Sequence, residues 1–170
     1  RVGDSKALSE AQREKAFREI HDRAVVGVGI MSETVIDDVN ILNAAHLAMT
    51  AAIRDLASRL SPGEDEVKVA VDGNSYRGDI PYKVECVVKG DAKSLAIACA
   101  SIVAKVTRDR IMCDYDQVYP QYGFKGHKGY PTEAHREAIR AHGLSPIHRK
   151  TFRMGGHVPN SKDEFGTCPP

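Results

Sequence analysis

Apolar residues recur along the chain in two periods, one helical and one alternating, and the switches between them lay out its elements. Ser9-Glu10-Ala11-Gln12 has the form of a capping box, with Ser9 as N-cap and Gln12 reaching back. Behind it Ala16, Phe17, Ile20 and Ala24 keep helical spacing, which predicts a helix to about Arg23. Residues 24–31 are short-patterned, β-branched and interrupted by Gly27 and Gly29, and read as a buried strand. Ser32-Glu33 and the acids after it open a second helix. Helical spacing from 36 to 60 runs through Ile41, Leu42, Ala45, Ala48, Met49, Ala52 and Leu56, until Ser61-Pro62-Gly63 ends it. Residues 67–71 alternate as a second strand and run into Asp72-Gly73-Asn74. Residues 84–88 form a third, closed by Lys89-Gly90-Asp91. A long helix rich in small residues is predicted over 94–115, a Gly-rich basic loop over 121–130, and a short helix over 132–142, capped at Thr132 and stopped by Gly143. The tail from Gly155 is Gly/Pro-rich and is expected to be disordered.

Helices alternating with strands predict an α/β domain, although three strands are few for 170 residues. With 42% hydrophobic and 28% charged residues, the composition is that of one globular domain and argues against disorder. The longest apolar run, 24–31, falls far short of the roughly 20 residues of a membrane span. Arg1-Val2-Gly3-Asp4 shows no secretory apolar stretch. Cys86, Cys99, Cys113 and Cys168 form no C-x-x-C pair, which argues against a zinc site and for free thiols in a reducing cytosol. Motifs for a P-loop, a dinucleotide, a serine nucleophile or a zinc protease are absent.

Charge adds one asymmetry. The chain holds 24 Lys and Arg against 23 Asp and Glu, yet segment 33–66 is net −5 and segment 121–153 net +5. The basic block also holds His127, His135, His142 and His148, read as surface residues or phosphate contacts. A local basic block suits an anionic partner, and equally a solvated face.

Asp72 and Asp91 each follow a β-branched strand directly, where open α/β sheets place ligand sites. Carboxylates there suit a hard cation such as Mg²⁺, and a cation pair could clamp both oxygens of a phosphodiester in displacement. Asp-Gly is also simply a turn dipeptide. The run Tyr122-Gly-Phe-Lys-Gly-His-Lys-Gly-Tyr130 mixes cations for phosphate with aromatics for a sugar or base, or forms a surface loop.

Taken in order, seven blocks carry a resemblance: Asp4-Ser-Lys-Ala-Leu8; Asn40-Ile-Leu-Asn43 with Ala48-Met49; Val71-Asp72-Gly73; Val88-Lys-Gly-Asp91; the stretch from Ala100 to Arg110; Tyr122-Gly-Phe with His127-Lys-Gly-Tyr130; and Pro146-Ile-His-Arg149 with Phe152. Over residues 4 to about 152 the chain resembles the ribonuclease HII family. The resemblance implies an α/β, ribonuclease H-like mixed sheet flanked by helices, as one catalytic domain over 1–153 with a tail over 154–170. It implies an endonuclease that hydrolyses the RNA strand of RNA–DNA hybrids, and the 5′ side of ribonucleotides embedded in duplex DNA, by a two-metal mechanism with Mn²⁺ or Mg²⁺.

By the same resemblance Asp72 and Asp91 are catalytic and hold metal. Tyr130 packs on the ribonucleotide and senses its 2′-hydroxyl, Lys6 and Lys89 contact backbone phosphate, and Lys128 binds substrate. Asp109 supports the site through Arg108 and Arg110. A monomeric, cytoplasmic protein of DNA replication and repair is implied, with no membrane partner. The family's Asp-Glu pair and Gly-Arg-Gly element do not occur ahead of the Asp4 block. Asp65-Glu66 precedes a strand and Asp163-Glu164 lies in the tail. The expectation is therefore an N-terminally truncated domain, inactive as given, or else a fragment that binds hybrids without cutting them.

Overall fold

The computed structural model describes residues 8–152. Lys6 and the tail expected over 154–170 lie outside the described residues. Helix α1 (Glu10–Arg23) starts as its capping box requires. Ser9 Oγ accepts the Gln12 N–H at 3.2 Å, and Gln12 Oε1 accepts the Ser9 N–H at 2.8 Å.

The stretch 24–31 departs from its expected role. It is extended but pairs with no strand among the described residues, and Val25, Val28 and Ile30 are exposed. Its glycines explain the placement. A Cβ on Gly27 would collide with the Ala52 carbonyl, and one on Gly29 with the Ala48 carbonyl. The segment lies directly on a helix backbone, and this close approach takes the place of strand pairing.

The single helix expected after Ser32 is two. Helix α2 (Glu33–Val39) is capped by Ser32, and α3 (Ile41–Leu60) starts afresh one residue after α2 ends. Between them Asn40 turns to φ 68° and ψ 164°, a positive-φ conformation that breaks the helix. Its Oδ1 accepts the N–H groups of Leu42 and Asn43, both at 3.1 Å. Apolar periodicity carries across this break, which is why the sequence reads as continuous.

Strands β1 (Lys68–Asp72) and β2 (Lys83–Val87) pair in parallel, with Val71 opposite Cys86 and Asp72 opposite Val87. They are the only strands among the described residues, and β2 is largely exposed. Helix α4 (Leu95–Val118) follows, longer at its C-terminal end than its pattern suggested. The expected basic loop is structured: Pro120–Tyr122 form a 3₁₀ turn and Phe124–His127 the one-turn helix α5, with Tyr122 and Phe124 buried. Helix α6 (Glu133–His142) is capped by Thr132 Oγ1 and ends at Gly143.

Two apolar clusters form along α4. Ile102, Val103 and Val106 meet Ile20 and Phe17 of α1, while Met112 and Tyr115 back Tyr122, Phe124 and Ile139. The contact between 24–31 and α3 gives a direct test. Gly29→Ala is expected to lower the unfolding free energy in urea by about 2–3 kcal/mol. Gly126→Ala, whose Cβ meets nothing within 4 Å, should leave stability unchanged or raise it by up to about 1 kcal/mol.

Candidate active site and nucleic-acid interface

Asp72 closes β1, and the strand's end carries its carboxylate to the turn that follows β2. There Oδ1 accepts the Gly90 N–H at 2.8 Å. Gly90 is buried and sits in a 3₁₀ turn, Gly90–Ala92, so Asp91 is seated one residue from the bond that anchors Asp72. The turn also starts α4, since Ser94 N–H donates to the Gly90 carbonyl at 2.8 Å. A side chain at residue 90 would crowd its neighbours: a Cβ would lie 2.6 Å from Ile97 Cδ1, which would have to shift, and 3.3 Å from Asp72 Oδ1. Lys89, just before it, is exposed and left-handed at φ 56°. The structure thus brings Asp72, Lys89 and Asp91 to one corner. Among the described residues no three His, Cys, Asp or Glu side chains gather as a metal cage.

Further along α4 stands Tyr130, half exposed at 53%. Arg108 lies over its ring with the guanidinium carbon 5.0 Å from the centroid, and the Lys105 ammonium at 5.4 Å. Lys105 also pairs with Asp109 at 2.7 Å. Lys105 is thus the ion-pair partner of Asp109, since four residues along a helix bring side chains onto one face. Arg110 faces the other way, bonded to Glu14 at 2.7 Å and packed over Phe17. Lys128 is turned inward. Its ammonium donates to the Lys125 carbonyl at 2.6 Å and to Cys113 Sγ at 3.1 Å, so two of its three N–H donors are engaged within the protein.

Of the four histidines of the basic block, His142 is exposed as expected and the other three are not. His135 is buried, and His127 and His148 are half-buried around Phe124. His127 and His135 stack with centroids 4.2 Å apart. Nε2 of His135 and Nε2 of His148 are 3.0 Å apart. Burial, reinforced by the neighbouring His135, pushes the His148 imidazole down to about 4, and burial lowers His135 as well. Their spacing in sequence carries no recognisable pattern. The one available signal is Thr132, whose capping role sets His135 on the first turn of α6.

Comparison with known proteins bears on the same stretch. A family model described as Ribonuclease HII matches residues 1–154. The Ribonuclease HII of Magnetococcus marinus is 47% identical over 152 residues, covering 89% of this chain and 70% of the relative. That of a Marinomonas species is 50% identical over 153 residues, covering 89% and 73%. For Clostridioides difficile the figures are 50% over 152 residues, 89% of this chain and 57% of the relative. The chain belongs to the ribonuclease HII family. Its α/β architecture, among the described residues a small parallel sheet with six helices, agrees with the ribonuclease H-like fold expected for ribonuclease HII. No helix among the described residues is long and apolar enough to cross a membrane. Cys86, Cys99 and Cys113 are free thiols.

The neutral imidazoles imply a sign for the effect of acid. Between pH 6.5 and about 4 the unfolded chain takes up a proton at residue 148 that the folded chain refuses, so His148 removes stability as pH falls through that window. Thermal unfolding should show a melting temperature falling from pH 7 to pH 4.5, with a shallower fall in His148→Asn. An identical slope in the variant would contradict this.

Proposed function

We propose that this chain supplies two carboxylates and the substrate-facing residues for the nuclease chemistry of its family: hydrolysis of a phosphodiester on the 5′ side of a ribonucleotide in duplex DNA, and of the RNA strand in RNA–DNA hybrids, leaving 5′-phosphate and 3′-hydroxyl ends. The observation that carries this reading is the Asp72–Gly90 hydrogen bond, which holds two acidic residues at a strand end on a rigid turn. Such a substrate belongs to DNA replication and repair in the cytoplasm, and a monomer suffices to engage it.

Carboxylate oxygens are the donors that Mg²⁺ and Mn²⁺ take, and Asp72 and Asp91 fit as two ligands of such a cation. Two carboxylates do not complete a cage for a pair of cations, each of which takes about six oxygens. A bound divalent cation supplies positive charge at the phosphate oxygens and a more acidic water. The protein's own part is positional. Gly90 aims the Asp72 carboxylate, Lys89 offers an exposed ammonium to the phosphate chain, and Tyr130 lays its ring against the ribose. Lys105 and Arg108 keep positive charge behind that ring.

Because the corner brings together two carboxylates, Asp72 and Asp91, the 170 residues by themselves are expected to bind a duplex holding one ribonucleotide and not to cut it. Binding should weaken steeply with salt. Mg²⁺- or Mn²⁺-dependent cleavage by the purified chain would overturn the incomplete-site reading, and Asp72→Asn should then abolish that cleavage. Tyr130→Ala should reduce the preference for the ribonucleotide duplex over its all-DNA counterpart by about five- to tenfold. An unchanged preference would reject the ribose-facing role of Tyr130.

A further inference from the structure

The loop carrying Tyr130 rests on imidazoles whose bonds admit only one arrangement of protons. Ser145 N–H donates to His148 Nδ1 at 3.0 Å, so Nδ1 is an acceptor, and the Ser145 hydroxyl lies 2.6 Å from the same nitrogen. The His148 proton is therefore on Nε2, which faces His135 Nε2 at 3.0 Å. That nitrogen must accept, which leaves the His135 proton on Nδ1, 3.0 Å from the Tyr130 carbonyl oxygen. His127 is fixed in the same way: Nδ1 accepts the Gly129 N–H at 3.1 Å, and Nε2–H donates to the Tyr122 carbonyl at 2.8 Å.

We propose that His135 and His148 are positioning residues for Tyr130, a one-way chain of neutral hydrogen bonds from Ser145 through both imidazoles to the Tyr130 carbonyl that sets where its ring stands over Arg108 and Lys105. The proposal rests on the reading of Tyr130 as the ribose-facing residue. A proton added at His148 Nδ1 would oppose the Ser145 N–H, and one added at His135 Nε2 would set two donors face to face.

The surroundings match this neutrality. His127 stacks on His135, Tyr122 lies 5.1 Å from His148 between ring centroids, and His142 of α6 lies 6.1 Å beyond Tyr122. On the α4 side stand the cations Lys105 and Arg108 at Tyr130, with Asp109 paired to Lys105 and Asp116 accepting the Lys125 N–H at 3.1 Å. The depressed proton affinities of His135 and His148 agree with the same assignment.

The test uses the full chain. Proton–nitrogen NMR at pH 7 should find His135 protonated on Nδ1 and His148 on Nε2, both neutral. Either imidazole charged, or in the other tautomer, overturns the chain of bonds. His135→Leu removes the donor while keeping bulk, and His135→Asn returns an amide nitrogen near the Nδ1 position. The Tyr130 ring resonances should shift in the first and return in the second. The affinity ratio for a one-ribonucleotide duplex over all-DNA should fall about fivefold in the first and recover to within about twofold in the second. Equal behaviour of the two variants marks simple packing and overturns the proposal. If His135→Leu fails to fold, His148→Gln against His148→Ala reads the same link, Gln keeping a donor near Nε2. A Tyr130→Ala chain with an unchanged ratio rejects the ribose-facing role alone, and the Tyr130 ring resonances still decide the positioning.

Discussion

Helix α4 buries apolar side chains along both of its halves, and each functional group is placed by where it touches this rod. Its first half seals Ile102, Val103 and Val106 against α1, and Ile102 is completely enclosed. Burying one such side chain contributes about 1.5–3 kcal/mol, so the helix is held far more firmly than any surface ion pair could hold it. Its start is continuous with the turn that carries Gly90 and Asp91. Its middle presents Lys105, Arg108 and Asp109, and its last turns support the Tyr122–Phe124 cluster on which the Tyr130 loop sits. A 24-residue helix spans about 36 Å, so one rigid element relates the acidic corner to the aromatic one.

What the sequence made legible was local chemistry. Ser9, Ser32 and Thr132 announce helix starts because a short hydroxyl side chain can accept the free N–H groups of a first turn. Asp72 and Asp91 stood out because β-branched strands run straight into them, and their convergence follows from the parallel pairing of β1 with β2. Contacts between distant segments were opaque. Gly27 and Gly29 looked like interruptions in a strand, and only the path of α3 shows them as the place where two backbones touch. Asn40 splits a helix whose apolar period runs on undisturbed. Lys128 was read by charge, but the cysteine and carbonyl it bonds to were not visible in its neighbours.

The same limit explains the histidines. A histidine in a basic, Gly-rich run looks like a surface residue, and what decides otherwise is a ring stack and a nitrogen–nitrogen contact between α6 and a segment thirteen residues away. Asp37 is a parallel case at the other end of the charge scale. It belongs to the acidic segment, yet its carboxylate accepts the N–H groups of Lys150 and Thr151 at 2.7 and 3.1 Å. Its proton affinity is lowered chiefly by the Thr151 hydroxyl. The acidic and basic blocks therefore meet at a defined seam.

The buried imidazoles also set how the basic block greets a polyanion. Histidines on a nucleic-acid surface ordinarily gain charge on mild acidification, each new charge displacing a condensed counterion and tightening association. His135 and His148 resist that proton. Of the block's four histidines, these two accordingly add no ionic grip as the surroundings turn mildly acid.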